Sequence, residues 1–243
     1  MESPIYIATS LQTALRRQMD VVANNVANMN TPGFKRENMV FMQYMPDSIA
    51  KQPKAENRYS MVMDYGNWRN TAQGPLLPTG NPLDVSIQGK GFFTVQDDKG
   101  NSFYTRSGNF SVNANGELVD KNGYKVMGDG GSLTIPPNTN VVINDDGRVT
   151  AGGSEVGKLK LAEFDKEQFM TPLEGGLYKT DQSPQPPKDS KIVQAMLEES
   201  NVQPVVEMTK MIEIQRRYQS VQNMIDGEHE RIRSAVSKLA KIS

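Results

Sequence analysis

Few side chains in this sequence can do covalent or metal chemistry. There is no cysteine and a single histidine, His229. That removes thiol nucleophiles, disulfides and Cys-based metal sites, and leaves His229 as the only imidazole base for a triad. His229 stands between Glu228 and Glu230 in a charged helical stretch, the setting of a solvated side chain. Glu198 and Glu199 are adjacent, so on a helix their carboxylates diverge instead of sharing a proton. Gly128-Asp129-Gly130-Gly131 lacks both the G-x-G-x-x-G spacing and a P-loop lysine, and reads as a turn. Asn144-Asp145-Asp146-Gly147 resembles the start of a calcium loop but has no glutamate at the twelfth position and is flanked by strand patterns, so it reads as a hairpin turn. Arg216-Arg217 reads as a wet helical face. The expectation is no enzyme: no catalytic, metal or cofactor-binding residues and no cofactor.

Composition narrows the remaining classes. Lys and Arg number 27 against 28 Asp and Glu, so no basic excess marks a nucleic-acid binder. Hydrophobic residues make up 37% and mean hydropathy is −0.56, so much of the chain is solvated or is buried only in an assembly. No run approaches the ~18 apolar residues of a membrane span. Met1-Glu2-Ser3-Pro4 lacks the basic and apolar regions of a Sec signal peptide. Zero cysteine is compatible with a place outside the cytoplasm.

The elements follow from periodicity. Ser3-Pro4 is a helix start, with a capping serine and proline at the first position. Ile7, Leu11, Leu15, Met19, Val22, Val26 and Met29 then make one apolar stripe at helical spacing. Asn24, Asn25 and Asn28 crowd the last turns, and Asn30-Thr31-Pro32-Gly33 stops the helix, because Pro32 lacks an N–H and Gly33 can take a positive φ. Residues 35–79 read as an extended linker with a polar loop from Met45 to Asn57. From Gly80, short β-branched and aromatic runs alternate with Asn-Gly and Asp-Gly turns, the pattern of antiparallel hairpins. Proline density in Ser183-Pro184-Gln185-Pro186-Pro187 closes this region. After Gln203-Pro204, a second helix carries Met211, Ile214, Tyr218, Val221, Ile225, Ile232, Ala235 and Leu239 at alternating three- and four-residue spacing, broken at Glu228. That is a coiled-coil seam, and it needs a partner: the first helix or another subunit. The fold class is therefore α+β, with N- and C-terminal helices forming a coiled-coil-like pair around a central, mainly antiparallel β domain. The expected divisions are an assembly helix and turn at 1–34, the linker at 35–79, the β domain at 80–187, and a linker plus coiled-coil helix at 188–243.

Four blocks carry a resemblance. They are Val21 to Arg36 (V-V-A-N-N-V-A-N-M-N-T-P-G-F-K-R), Thr79 to Val95 (T-G-N-P-L-D-V-S-I-Q-G-K-G-F-F-T-V), Tyr104 to Phe110 with Gly116 to Val119, and Ser200 to Gln222. In this order and over nearly the whole chain, they resemble the flagellar basal-body rod and hook proteins of bacteria. The resemblance implies a structural subunit of the axial drive shaft that crosses the periplasm and transmits torque. It implies export through the flagellar type III apparatus, with chaperone-like factors and without a cleaved Sec signal. The implied partners are other rod subunits, both the proximal rod proteins and the distal rod protein. Chain length and the charged tail after Asp226 favour a proximal over a distal position.

The resemblance also implies that the terminal helices pack together and against neighbouring subunits. The assembly residues expected on this basis are Leu11, Leu15, Val22, Asn24, Asn25, Val26, Asn28, Met211, Ile214, Tyr218, Val221, Ile225, Ile232 and Leu239. The three asparagines either hydrogen-bond across subunits or merely fray the helix end. The monomer is expected to carry a folded β domain and largely disordered ends, ordered on assembly. The alternative of another class is a surface-binding β module on a coiled coil. It needs an aromatic groove, yet the only tryptophan, Trp68, falls in the irregular region, and it leaves the N-terminal block unexplained.

Overall fold

The computed structural model describes residues 3–44 and 61–240, with side chains over 5–42, 66–238 and at 240. The polar loop expected from Met45 to Asn57 lies outside the described residues. The chain forms two units: residues 1–27, 37–69 and 203–243 make the first, and 28–36 with 70–202 the second.

The first unit holds both long helices. Helix α1 covers Ser3–Ala27 and ends where the asparagine-rich turn begins. The second helix, α2, covers Pro204–Ala240 and starts on its proline, whose missing N–H costs nothing there. The two run antiparallel. The α1 stripe of Leu11, Leu15, Met19, Val22 and Val26 meets Met211, Ile214, Tyr218 and Val221 of α2, with Leu15, Val22 and Ile214 buried. The partner that the seam needs is thus α1 of the same chain, and each fully covered side chain stabilises the pair by ~1.5–3 kcal/mol relative to exposure. The stretch read as an extended linker contains two paired strands, β1 (Glu37–Tyr44) and β2 (Met61–Arg69). They are antiparallel from Glu37 opposite Arg69 to Tyr44 opposite Met61, with an irregularity between Val40 and Phe41 that breaks the alternation a strand reading depends on. A lone two-stranded ribbon is marginal in water; α1 packs against both strands.

The second unit is all β. In chain order its strands are β3 (Leu76–Pro78), β4 (Val85–Gln88), β5 (Phe92–Gln96), β6 (Ser102–Thr105), β7 (Phe110–Val112), β8 (Leu118–Asp120), β9 (Lys125–Gly128) and β10 (Gly131–Ser132). They continue with β11 (Val141–Ile143), β12 (Arg148–Ala151), β13 (Ser154–Lys158), β14 (Leu161–Ala162), β15 (Thr171–Leu173), β16 (Leu177–Lys179), β17 (Lys191–Gln194) and β18 (Met196–Glu198). The main sheet runs β15-β16-β6-β5-β9-β8-β7, with β10 on β9 and β14 on β5; β11-β12-β13 form a second sheet. All pairings are antiparallel, as the Asn-Gly turns require: Gly116 and Gly123 sit at φ 81° and 86° between consecutive strands. The main core gathers Val85, Ile87, Phe93, Val95, Leu118, Val126 and Val149, each nearly or wholly buried. A satellite core stacks Phe92 edge-on to Tyr178 at 5.6 Å and Tyr104 edge-on to Phe164 at 4.7 Å.

Residues 188–198, read from the sequence as linker, instead carry β17 and β18, which pair with β4 and β3. Glu198 ends a strand and does not lie on a helix, so alternation sends Glu198 inward and leaves Glu199 exposed. The turn readings at Gly128–Gly131 and Asn144–Gly147 hold: the first joins β9 to β10, and the second closes with the Gly147 N–H donating to the Asn144 carbonyl at 3.0 Å.

Candidate assembly elements: a helix seam and a buried clasp

The seam brings together most of the apolar residues expected to act in assembly. Leu15, Val22, Ile214 and Ile225 are buried, while Leu11, Val26, Met211, Tyr218 and Val221 are half-buried. Ile232 is not brought in and remains 46% exposed. The side chain of Leu239 lies outside the described residues. The seam is extended by polar contacts between the same helices, Gln12 to Gln222 and Asn25 to Glu207.

The asparagines part company. Asn24 is exposed, and Asn28 is half-buried, its side-chain oxygen accepting from the Thr31 hydroxyl at 3.2 Å. Asn25 is fully buried. Its Nδ2 donates to the Glu37 carbonyl at 2.8 Å and to Glu207 Oε2 at 3.1 Å, and its Oδ1 accepts from the Glu37 N–H at 2.9 Å. The amide pairs with the backbone of β1 much as a neighbouring strand would. Asn25 therefore uses its amide inside the chain. Its partner Glu207 lies in the first turn of α2, where the helix dipole favours a carboxylate, and also pairs with Lys210 at 3.2 Å.

The second element lies wholly in the β unit. It joins residues 33–36, just after α1 in the chain, to residues 198–201, just before α2. The Gly33 N–H donates to the Glu198 carbonyl at 2.8 Å, the Asn201 N–H to the Phe34 carbonyl at 3.3 Å, and the Arg36 N–H to Asn201 Oδ1 at 2.7 Å. Asn201 Nδ2 donates to the Asn70 and Ala72 carbonyls at 2.9 and 2.8 Å, so this one amide ties three segments together. Beneath them lies a buried charge cluster. Lys35 Nζ binds Glu198 Oε1 and the Ala72 carbonyl, and the Gly74 N–H reaches the same carboxylate oxygen at 3.0 Å. Arg106 Nη1 lies 3.4 Å from Glu198 Oε2, and Nη2 donates to the Gly89 carbonyl at 2.7 Å. The guanidinium also stands 5.5 Å over the Phe92 ring. Side-chain exposure is 4% for Lys35, 3% for Arg106 and 0% for Glu198. Burial lowers the pKa of Lys35 even though Glu198 pulls it upward, and burial likewise lowers that of Arg106. Desolvation therefore outweighs pairing at both cations.

Gly33 makes this approach possible. It sits at φ +71°, and a Cβ there would fall 2.6–2.7 Å from backbone and Cβ atoms of Arg106 and Ser107. A side chain would be strained and would also clash.

Sequence reasoning missed Lys35, Arg106, Glu198, Asn201 and Glu207. The available signal was a charge inside an apolar run, as in Gly33-Phe34-Lys35 and Met196-Leu197-Glu198. Such a charge is solvated or paired, and residues distant in sequence decide which. Trp68 lies in β2 of the helix unit and is 48% exposed. Among the described residues, no group of His, Asp and Glu stands ready to hold a metal, and no helix is long and apolar enough to cross a membrane.

Three family models match the chain. The flagella basal body rod protein model covers residues 5–35, the flagellar hook protein FlgE/F/G D1 domain model covers 86–151, and the flagellar basal body rod FlgEFG C-terminal model covers 193–238. The first and third of these meet in the clasp. The flagellar basal-body rod protein FlgF of Caulobacter vibrioides is 43% identical over the full length of both chains. FlgF of Mesorhizobium japonicum is 34% identical over 90% of each chain. FlgG of Caulobacter vibrioides is 32% identical over 87% of this chain and 90% of its own. The chain belongs to the flagellar basal-body rod protein family, the structural subunits of the rod in the bacterial flagellum.

Proposed function

We propose that the chain occupies the proximal part of the rod and is built into it through its paired terminal helices, next to other proximal subunits and the distal rod protein. The observation that carries the position is the contrast within one organism: 43% identity to its FlgF over the full length against 32% to its FlgG. In this reading the chain passes through the flagellar type III export channel without a cleaved leader, and its assembly residues are those of the seam, from Leu11 to Val26 and from Met211 onward. The work is mechanical. Stacked subunits carry torque along the shaft, and rigidity comes from buried helix faces and hydrogen-bonded β segments. No reacting group is needed.

The test is deletion of the gene in the source bacterium, followed by complementation. Wild-type chain restores swimming and reappears in isolated basal bodies. Val22→Asp, which buries a charge in the seam, is recovered as a chain with an intact β unit but fails to restore swimming. Full swimming with Val22→Asp, or recovery of the wild-type chain only outside the basal body, would overturn this reading.

A further inference from the structure

The helix unit is assembled from two distant parts of the chain. Helix α1 and the β1–β2 ribbon are consecutive, with only residues 28–36 between α1 and β1. Helix α2 arrives from elsewhere. Between Arg69, which ends β2, and Gln203, which precedes α2, lie the 133 residues 70–202 of the β unit. A flexible loop of that length works against the α1–α2 seam, because the chance that its ends meet falls as about the 3/2 power of loop length.

The folded β unit removes that loop. Strand β18 pairs with β3 from Glu198 opposite Leu76 to Met196 opposite Pro78. The ladder runs on past both strands: the Glu199 N–H donates to the Pro75 carbonyl at 2.8 Å, and the Thr79 N–H to the Ala195 carbonyl at 2.9 Å. Asn201 carries it to the last link, donating to the carbonyls of Asn70 and Ala72, while the Asn70 N–H donates to the Arg36 carbonyl at 2.8 Å. With the bonds at Gly33 and Phe34, the chain is gripped within a few residues of every point at which it passes from one unit to the other.

We infer that the β unit is a clamp that delivers α2 to α1: pairing of β3 with β18 and closure of the clasp come before the helix seam and are needed for it. The bridge from Asn70 to Asn201 replaces the 133-residue loop by about three residues, which raises the effective concentration of α2 at α1 on the order of 100-fold or more. The seam is then conditional on residues that all belong to the other unit. The packing of α1 on its neighbouring ribbon is local in sequence and has no such requirement. This order of events belongs to the single chain and holds whatever the chain assembles with.

A cross-link tests the clamp because it holds the two strands together after the β unit has unfolded. Pro78 lies opposite Met196 and has no N–H to lose, and facing residues of an antiparallel ladder have Cα atoms ~4.5–5.5 Å apart, inside disulfide range. The chain has no cysteine of its own, so Pro78→Cys/Met196→Cys, oxidised with oxidised glutathione, gives one defined bond. Hydrogen exchange read by mass spectrometry follows the seam in peptides 11–26 and 211–225, and the β core in Phe92–Gln96, across a urea series. In the wild-type and reduced chains the seam should be protected in buffer and should open no later in the series than the β core. In the oxidised chain, at urea that opens the β core of both forms, the bridged loop is still only about 16 residues, and seam exchange should be roughly 20-fold slower than in the reduced form. A seam that stays protected after the β core of the reduced chain has opened would overturn the inference. So would a seam that exchanges freely while the β core is closed, or equal seam exchange in the two forms. A cross-link that disturbs the fold shows as faster β-core exchange of the oxidised chain in buffer, and Leu77→Cys/Leu197→Cys, the next pair of the same ladder, then takes its place.

Discussion

Replacing Glu198 by Gln keeps the shape of the clasp and removes the carboxylate that hydrogen-bonds both of its cations. Lys35 and Arg106, 4% and 3% exposed, are then left as two buried cations with only the longer-range attraction of Glu167. Removing one partner of a buried ion pair costs ~3–5 kcal/mol, because the remaining charge has lost the attraction that offset its desolvation. With two cations affected, a loss of about 4–5 kcal/mol is expected. At an m-value of ~2 kcal/mol per molar, this lowers the urea midpoint of the β unit by about 2 M. The assay is urea unfolding followed through the β unit's Tyr104, Tyr124 and Tyr178, with Trp68 reporting the helix unit separately. A double-mutant cycle with Lys35→Met isolates the pair. In the Glu198→Gln background, Lys35→Met removes an uncompensated charge and should cost at least ~2 kcal/mol less than in wild type, or even stabilise. A midpoint shift below ~0.5 M, or additive effects of the two substitutions, would refute the claim that these charges are coupled and dry.

Other outcomes follow from the same contacts. Asn25→Ala strands the Glu37 backbone groups and one face of Glu207, and should destabilise the helix unit by ~2–3 kcal/mol, read by Trp68 fluorescence in urea. Gly33→Ala combines a positive φ with a clash, whereas Gly80→Ala, at φ +75°, has open space around its Cβ. Gly33→Ala should therefore cost at least ~2 kcal/mol more than Gly80→Ala in chemical denaturation, and equal costs would leave backbone strain as the whole effect. Burial lowers the folded-state pKa of Lys35 below its ordinary value of 10.5, so between the two values the unfolded chain binds more protons and stability rises with pH. As the pH approaches ~10, still below the burial-raised ionisation of Tyr104, the stability of the β unit should rise relative to Lys35→Met; a relative fall would mean that the Glu198 pairing outweighs burial.

Much of the architecture is legible because it rests on local chemistry. Pro204 marks the start of α2, the three-and-four spacing from Met211 to Ile225 marks a helix-packing face, and Asn-Gly pairs mark the hairpins at Gly116 and Gly123. What escapes is decided by partners far away in the chain. Lys35 and Glu198 lie 163 residues apart, and Asn25 and Glu207 lie 182 apart. No window around either end distinguishes a solvated charge from a buried one. The β1–β2 ribbon escapes for another reason, as residues 45–60 separate its strands in the sequence and the irregularity at Val40–Phe41 blurs its alternation. Periodicity likewise says that Ile232 continues the seam of Ile225, but coverage depends on where α1 begins, which only the register of the pair reveals.

Cryo-electron microscopy of basal bodies isolated from the source bacterium tests the central claim most directly. The account predicts that this chain is traced in the rod wall on the membrane-proximal side of the distal rod protein, with the α1–α2 seam closed in each copy. A rod without this chain, or one in which it appears only at the distal level, would contradict the account.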